Sequence, residues 1–104
     1  MQANVDQRAN PRIHAKVPVV VDGRDANHKP FAEESYTILV NESGALIALA
    51  AQLQLQDRVR ITNKSTGDSA DCRIAWRSAE PMQGRWSYGV ALLDCPANFW
   101  ALQK

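Results

Sequence analysis

Acid–base or nucleophilic catalysis needs a reactive side chain held by an orienting partner, and this 104-residue chain offers few candidates. Its two histidines, His14 and His28, stand in polar stretches and read as solvated side chains. The carboxylates are scattered singly, and no H-E-x-x-H, G-x-S-x-G or phosphate-loop pattern occurs. Cys72 and Cys95 have neither C-x-x-C nor Cys/His zinc spacing, so they read as two reduced packing residues, with a disulfide as the minor alternative. These residue types speak against an enzyme and call for no metal or cofactor.

Anion recognition is better provided for. Arg8 and Arg12 stand four apart in R-A-N-P-R, with a proline stiffening the chain between them. A guanidinium offers a planar fork to phosphate or to the edge of guanine, and its plane can stack on a base. Farther along, Asn41-Glu42-Ser43-Gly44 has the composition of a tight turn, because Asn and Gly tolerate positive φ and Ser can bond nearby backbone. Its polar side chains and backbone can also meet a small ligand. Taken singly, the arginines read as solvated charges and the turn as an ordinary one. Arg58, Arg60, Arg73 and Arg77 make a further basic alignment, which reads as a solubilising surface.

The elements that position these residues follow from patterning. Residues 1–16 form a polar, flexible arm with little apolar content, and residues 17–104 form the single domain expected of this length. The β-branched run Val17 to Val21 predicts a strand that begins at or runs along an edge at Pro18 and stops at Asp22-Gly23. Ser35 to Val40 predicts another, with Tyr36, Ile38 and Val40 on one face and Ser35, Thr37 and Leu39 on the other, outer one. Ala45 to Gln56 fits a helix on propensity, and a turn with a short strand through Leu49 on pattern. Val59 and Ile61, then Cys72, Ile74 and Trp76, then Trp86, Tyr88, Val90 and Leu92 alternate as strands, with the tryptophans read as core. Pro96 starts a last helical turn through Trp100. The expected fold is all-β: a small antiparallel barrel of about six strands with a short C-terminal helix.

Arg8-x-x-x-Arg12, then Val17-Pro18-Val19, then Asn41-x-Ser43 leading through Gly44 into Ala45-Leu46-Ile47 resembles the PilZ family, small β-barrels that bind the bacterial second messenger cyclic di-GMP. Gly89 to Trp100 looks like the closing strand and short helix of its divergent members, so the resemblance runs from residue 8 to residue 100. It implies a strand at Ala45 to Leu49. It also implies that the arm folds over the barrel, Arg8 and Arg12 engaging phosphate and guanine while Asn41, Ser43 and Gly44 contact the ligand's other side.

The family motif D/N-x-S-x-x-G is altered here, because Gly44 follows Ser43 directly. Two alignments remain open. Asn41 and Ser43 keep their roles if the turn is shortened; if Gly44 is the anchor, Asn41 takes the Ser role and Leu39 the Asp role. The resemblance implies a cytoplasmic receptor or adaptor that relays cyclic di-GMP to a protein effector. A related module that no longer binds nucleotide is the alternative, and a single-stranded nucleic-acid binder a more remote one. A net charge of +1 gives no broad basic field for nucleic acid or membrane surfaces, and no apolar stretch is long enough to span a bilayer.

Overall fold

The computed structural model describes residues 13–101, so Arg8 and Arg12 lie outside the described residues, as does most of the expected arm. Among the described residues seven strands form one antiparallel sheet: β1 (Ile13–His14), β2 (Pro18–Arg24), β3 (Pro30–Asn41), β4 (Gly44–Leu49), β5 (Arg58–Asn63), β6 (Ser69–Arg77) and β7 (Trp86–Asp94). The pairing order β3-β2-β5-β6-β7-β4 returns to β3, closing a six-stranded barrel, and β1 adds a short extra strand along β3. Closure leaves no open edge on the six. The core is the inward side of this barrel, from Val19 and Val21 through Ile47, Leu49, Ile61, Cys72 and Ile74 to Tyr88 and Val90.

Pro18, which cannot donate to a ladder, opens β2 as its chemistry requires. The strand does not stop at Asp22-Gly23. Asp22 pairs with Ala32 and Arg60, and Gly23 lies so close to β5 that a Cβ there would meet the Arg58 carbonyl and the Val59 side chain at 3.2 Å. The turn falls instead where Asp25 Oδ1 accepts from the N–H groups of Asn27 and Lys29.

In β3 the two faces are the reverse of those expected. Ser35 and Thr37 are buried, whereas Tyr36 and Ile38 are exposed, and a register shift between Thr37 and Leu39 then turns Val40 inward. The polar face can go inside because its hydroxyls are bonded: Ser35 donates to the Ala48 carbonyl at 2.6 Å, and Thr37 donates to the Ala15 carbonyl while accepting from the Val17 N–H. Thr37 thereby fills the break between β1 and β2, which follow one another along the same side of β3.

The strand reading of Ala45 to Leu49 holds. β4 is paired on both sides, to β3 and to β7. Helix propensity loses over the following residues because their backbone groups are taken elsewhere. The Glu33 carboxylate accepts from the N–H groups of Ala50 and Ala51, and the buried Tyr88 hydroxyl accepts from Leu53 N–H and donates to the Ala51 carbonyl.

The expected C-terminal helix is absent among the described residues. Asn98 and Ala101 adopt φ of 55° and 54°, which a right-handed helix cannot contain, so the segment makes a turn closed by Ala101 N–H to the Asn98 carbonyl. The turn still packs Phe99 and Trp100 into the core, ring against ring at 4.8 Å. Cys72 is buried as a packing residue should be; Cys95 stands exposed, and neither forms a disulfide.

Candidate functional site

Asn41 ends β3 and Gly44 opens β4, leaving Glu42 and Ser43 as a two-residue hairpin loop. None of these four residues has positive φ, so the reason Asn and Gly stand here is not the one their turn propensity suggests. Asn41 acts through its side chain, whose Oδ1 accepts from the Ser43 N–H at 2.9 Å and sets the turn. Gly44 acts through its lack of one. A Cβ on it would lie 2.1 Å from the Val90 carbonyl oxygen, because β7 passes close enough for Leu92 N–H to reach the Ser43 carbonyl at 2.8 Å.

The turn is fixed from a third direction by the C-terminal segment. The Trp100 indole N–H donates to the Asn41 carbonyl at 3.0 Å, and the buried Asn63 amide donates to the Phe99 carbonyl at 2.9 Å. Asn63 Oδ1 in turn accepts from Ser65 N–H, so one amide orders both its own turn and the segment that braces Asn41.

Beside the turn lies a concave surface of about 540 Å³, lined by Leu39 to Asn41, Ser43 to Leu46, Ala75 and Trp76, and Gly89 to Ala91. Gly44, Gly89, Ala75 and Ala91 contribute almost no side chain, and Leu39, Leu46 and Trp76 stand around them. Trp76 is 52% exposed, which overturns its reading as core. The cause is a register shift in β6 between Ile74 and Trp76, which breaks the alternation and brings Trp76 opposite Gly89 on the outer face. A Cβ on Gly89 would meet the Trp76 Cβ at 3.3 Å, so the glycine leaves the indole room to lie against β7.

The structure thus brings Asn41, Ser43 and Gly44 together at one edge of an apolar hollow and adds Leu39, half-buried, and Trp76. Alternation hid Trp76, since a bulge has no fixed sequence mark; the small residues Ala75 and Gly89 were the available signal. The chain leading from the arm enters beside the turn, because Ile13 pairs with Val40 and His14 with Leu39. His14 and His28 are exposed, as expected of solvated side chains.

A family model for the PilZ domain matches residues 6–99 of this chain. No curated protein matches it. Among the described residues no helix is long and apolar enough to cross a membrane.

Proposed function

The chain belongs to the PilZ domain family, and on that premise we propose that it binds cyclic di-GMP in the hollow beside the β3–β4 turn and passes occupancy to a protein effector, without catalysis. The observation that carries this reading is the meeting of the Asn41-x-Ser43 turn, an exposed tryptophan and the entry of the arm around one concavity. A guanine base is a flat, apolar-faced ligand with polar edges. Trp76 offers it a stacking face, and the turn offers donors and acceptors to its edge. Arg8 is five residues before Ile13, a span of at most about 18 Å at 3.3–3.6 Å per residue, so the covalent reach from β1 suffices for both arginines to meet the ligand's phosphates.

The shortened turn is the observation that favours the second reading, a PilZ module that has lost its nucleotide. Gly44 follows Ser43 directly, where the family motif D/N-x-S-x-x-G has two residues between them. A hydrogen bond to a charged group contributes about 1.5–3 kcal/mol, so losing one such contact weakens binding by roughly ten- to a hundredfold. Titration calorimetry with cyclic di-GMP at modest salt separates the readings. Saturable binding that Arg8→Ala or Arg12→Ala weakens tenfold or more, at unchanged melting temperature, supports the receptor; a folded protein that gives no heat with cyclic di-GMP is the module that has lost its nucleotide. A short oligonucleotide titrated in parallel tests the nucleic-acid reading.

A further inference from the structure

The four outward arginines of β5 and β6 are not one surface. Arg60 lies between two acids, paired in register with Asp22 on β2 and Asp71 on β6, and its Nε approaches Asp71 Oδ1 at 3.8 Å. Arg77 lies over the Trp86 ring and donates to the Leu53 carbonyl. That leaves Arg58 and Arg73, which stand directly opposite each other across the β5–β6 ladder. Neither forms an ion pair among the described residues; Arg73 reaches only the Gln56 side chain, at 3.5 Å.

Arg24 extends this pair. It follows Gly23, the partner of Val59, so it lies level with Arg58, and the two line the same cleft of about 310 Å³. Three neighbouring strands therefore carry an arginine each in one row, roughly 5 Å apart from strand to strand. Asp25 and Asp57 line the cleft too and keep their charge, but each turns one oxygen to backbone, Asp25 Oδ1 to the Asn27 and Lys29 N–H groups and Asp57 Oδ2 to Gln54 N–H, while Arg24 donates to the His28 carbonyl at 2.9 Å; Arg73, one strand farther on, lies outside this cleft. Like charges directly opposite on a ladder destabilise a sheet. The row therefore works against the stability of the free barrel.

We propose that this arginine row docks an acidic segment of a partner protein. Two or three carboxylates at strand or helix spacing match the row's pitch, and each guanidinium can take a carboxylate bidentately. A continuous polyanion fits worse, because the adjacent row presents Asp22, Asp71 and Asp94, which repel phosphates running past the arginines. The row is separate from the hollow at the β3–β4 turn, although Arg73 is the partner of Ala91 at its margin. The effector invoked above is one source of such a segment, but the row does not depend on nucleotide binding.

The test uses the full chain and a labelled ten-residue peptide with three glutamates at alternate positions among serines and glycines, read by fluorescence anisotropy at low and physiological salt. Arg58→Gln with Arg73→Gln is compared with Lys16→Gln plus Arg85→Gln, which removes the same charge from elsewhere. Expected are a tenfold or greater loss of peptide affinity in the first pair, less than twofold in the second, a melting temperature at or above the parent's, and undiminished response to cyclic di-GMP wherever the parent responds. Equal losses in both pairs would mean net charge alone and overturn the proposal. So would absence of peptide binding at low salt, oligo-dT bound more tightly than the peptide, or loss of cyclic di-GMP binding together with the peptide.

Discussion

Substituting Gly44→Ala places a methyl group 2.1 Å from the Val90 carbonyl oxygen, where ordinary contact begins at 3.4 Å. Both groups belong to backbone, so no rotamer change relieves the clash. The seam between β4 and β7 must open by more than an ångström against a strand spacing of about 4.8 Å. Forced overpacking costs about 1–3 kcal/mol, and the ladder bonds that stretch, including Leu92 N–H to the Ser43 carbonyl, add about 1 kcal/mol each. We expect a loss of about 2–4 kcal/mol in urea unfolding, which for a domain of this size lowers the melting temperature by roughly 10–25 °C. Gly89→Ala is the internal control, since its Cβ would come no nearer than 3.3 Å to Trp76 Cβ and would meet the Trp76 backbone N only at 3.9 Å; a loss of about 1 kcal/mol or less is expected there. Any weakening of cyclic di-GMP binding by Gly44→Ala should accompany this instability. A variant as stable as the parent to within about 0.5 kcal/mol would refute the packing argument, and weakened binding at full stability would make Gly44 a direct ligand contact.

The alignment of the motif is decided by two variants against the parent in nucleotide titrations: Asn41→Ala should cause the larger change, and tighter binding by Leu39→Asp with the fold intact would show that Leu39 holds the acidic position. Trp76→Ala should weaken cyclic di-GMP by about 1–3 kcal/mol of lost stacking while barely changing the unfolding midpoint, because the indole is half-exposed. Trp100→Phe removes the donor to the Asn41 carbonyl and should cost about 1 kcal/mol, with amide chemical shifts moving at residues 41–44. Burial pushes the Cys72 thiol from 9.0 up to about 12, so the folded state holds this proton more tightly than the unfolded chain does. The stability it confers is whole below about pH 9 and drains away as pH rises toward 12, by up to about 4 kcal/mol at 1.36 kcal/mol per unit; Cys72→Ala should flatten that decline in urea midpoints measured between pH 8 and pH 11.

Alternation was enough to find the barrel, because β2 and β4 to β7 each bury two or three apolar residues against a common interior. It misled wherever hydrogen bonding outweighed hydropathy. Ser35 and Thr37 look like an outer face, yet carbonyls at Ala48 and Ala15 accept their protons inside. Trp76 looks like core, yet one register shift in β6 carries it out. Propensity favoured a helix after Gly44, pattern also allowed a short strand through Leu49, and the family resemblance argued for the strand; what decides is that Glu33 and Tyr88 capture the backbone beyond Leu49. Of the candidate site, Asn41, Ser43 and Gly44 were named correctly as a turn, but with the wrong physics: an Asx turn and a close approach replace positive φ. The arginines of the arm belong to residues 1–12, outside those described. The isolation of Arg58 and Arg73 was invisible before pairing was known, since only the ladder shows that Arg60 sits among acids and they do not.

The β4–β7 seam also bears on how the barrel forms in time. The hairpins β2–β3, β3–β4, β5–β6 and β6–β7 join strands that are neighbours in sequence, whereas β2–β5 and β4–β7 join distant ones. Gly44 pairs with Ala91, nearly half the chain away. Loop closure must be met before such a contact returns anything, so hairpins form early and the seam closes late. Residues that pack only after the rate-limiting step alter escape from the native state more than arrival at it. The narrow gap at Gly44 therefore acts as a latch: widening it should leave the refolding rate nearly untouched and shorten the lifetime of the closed barrel.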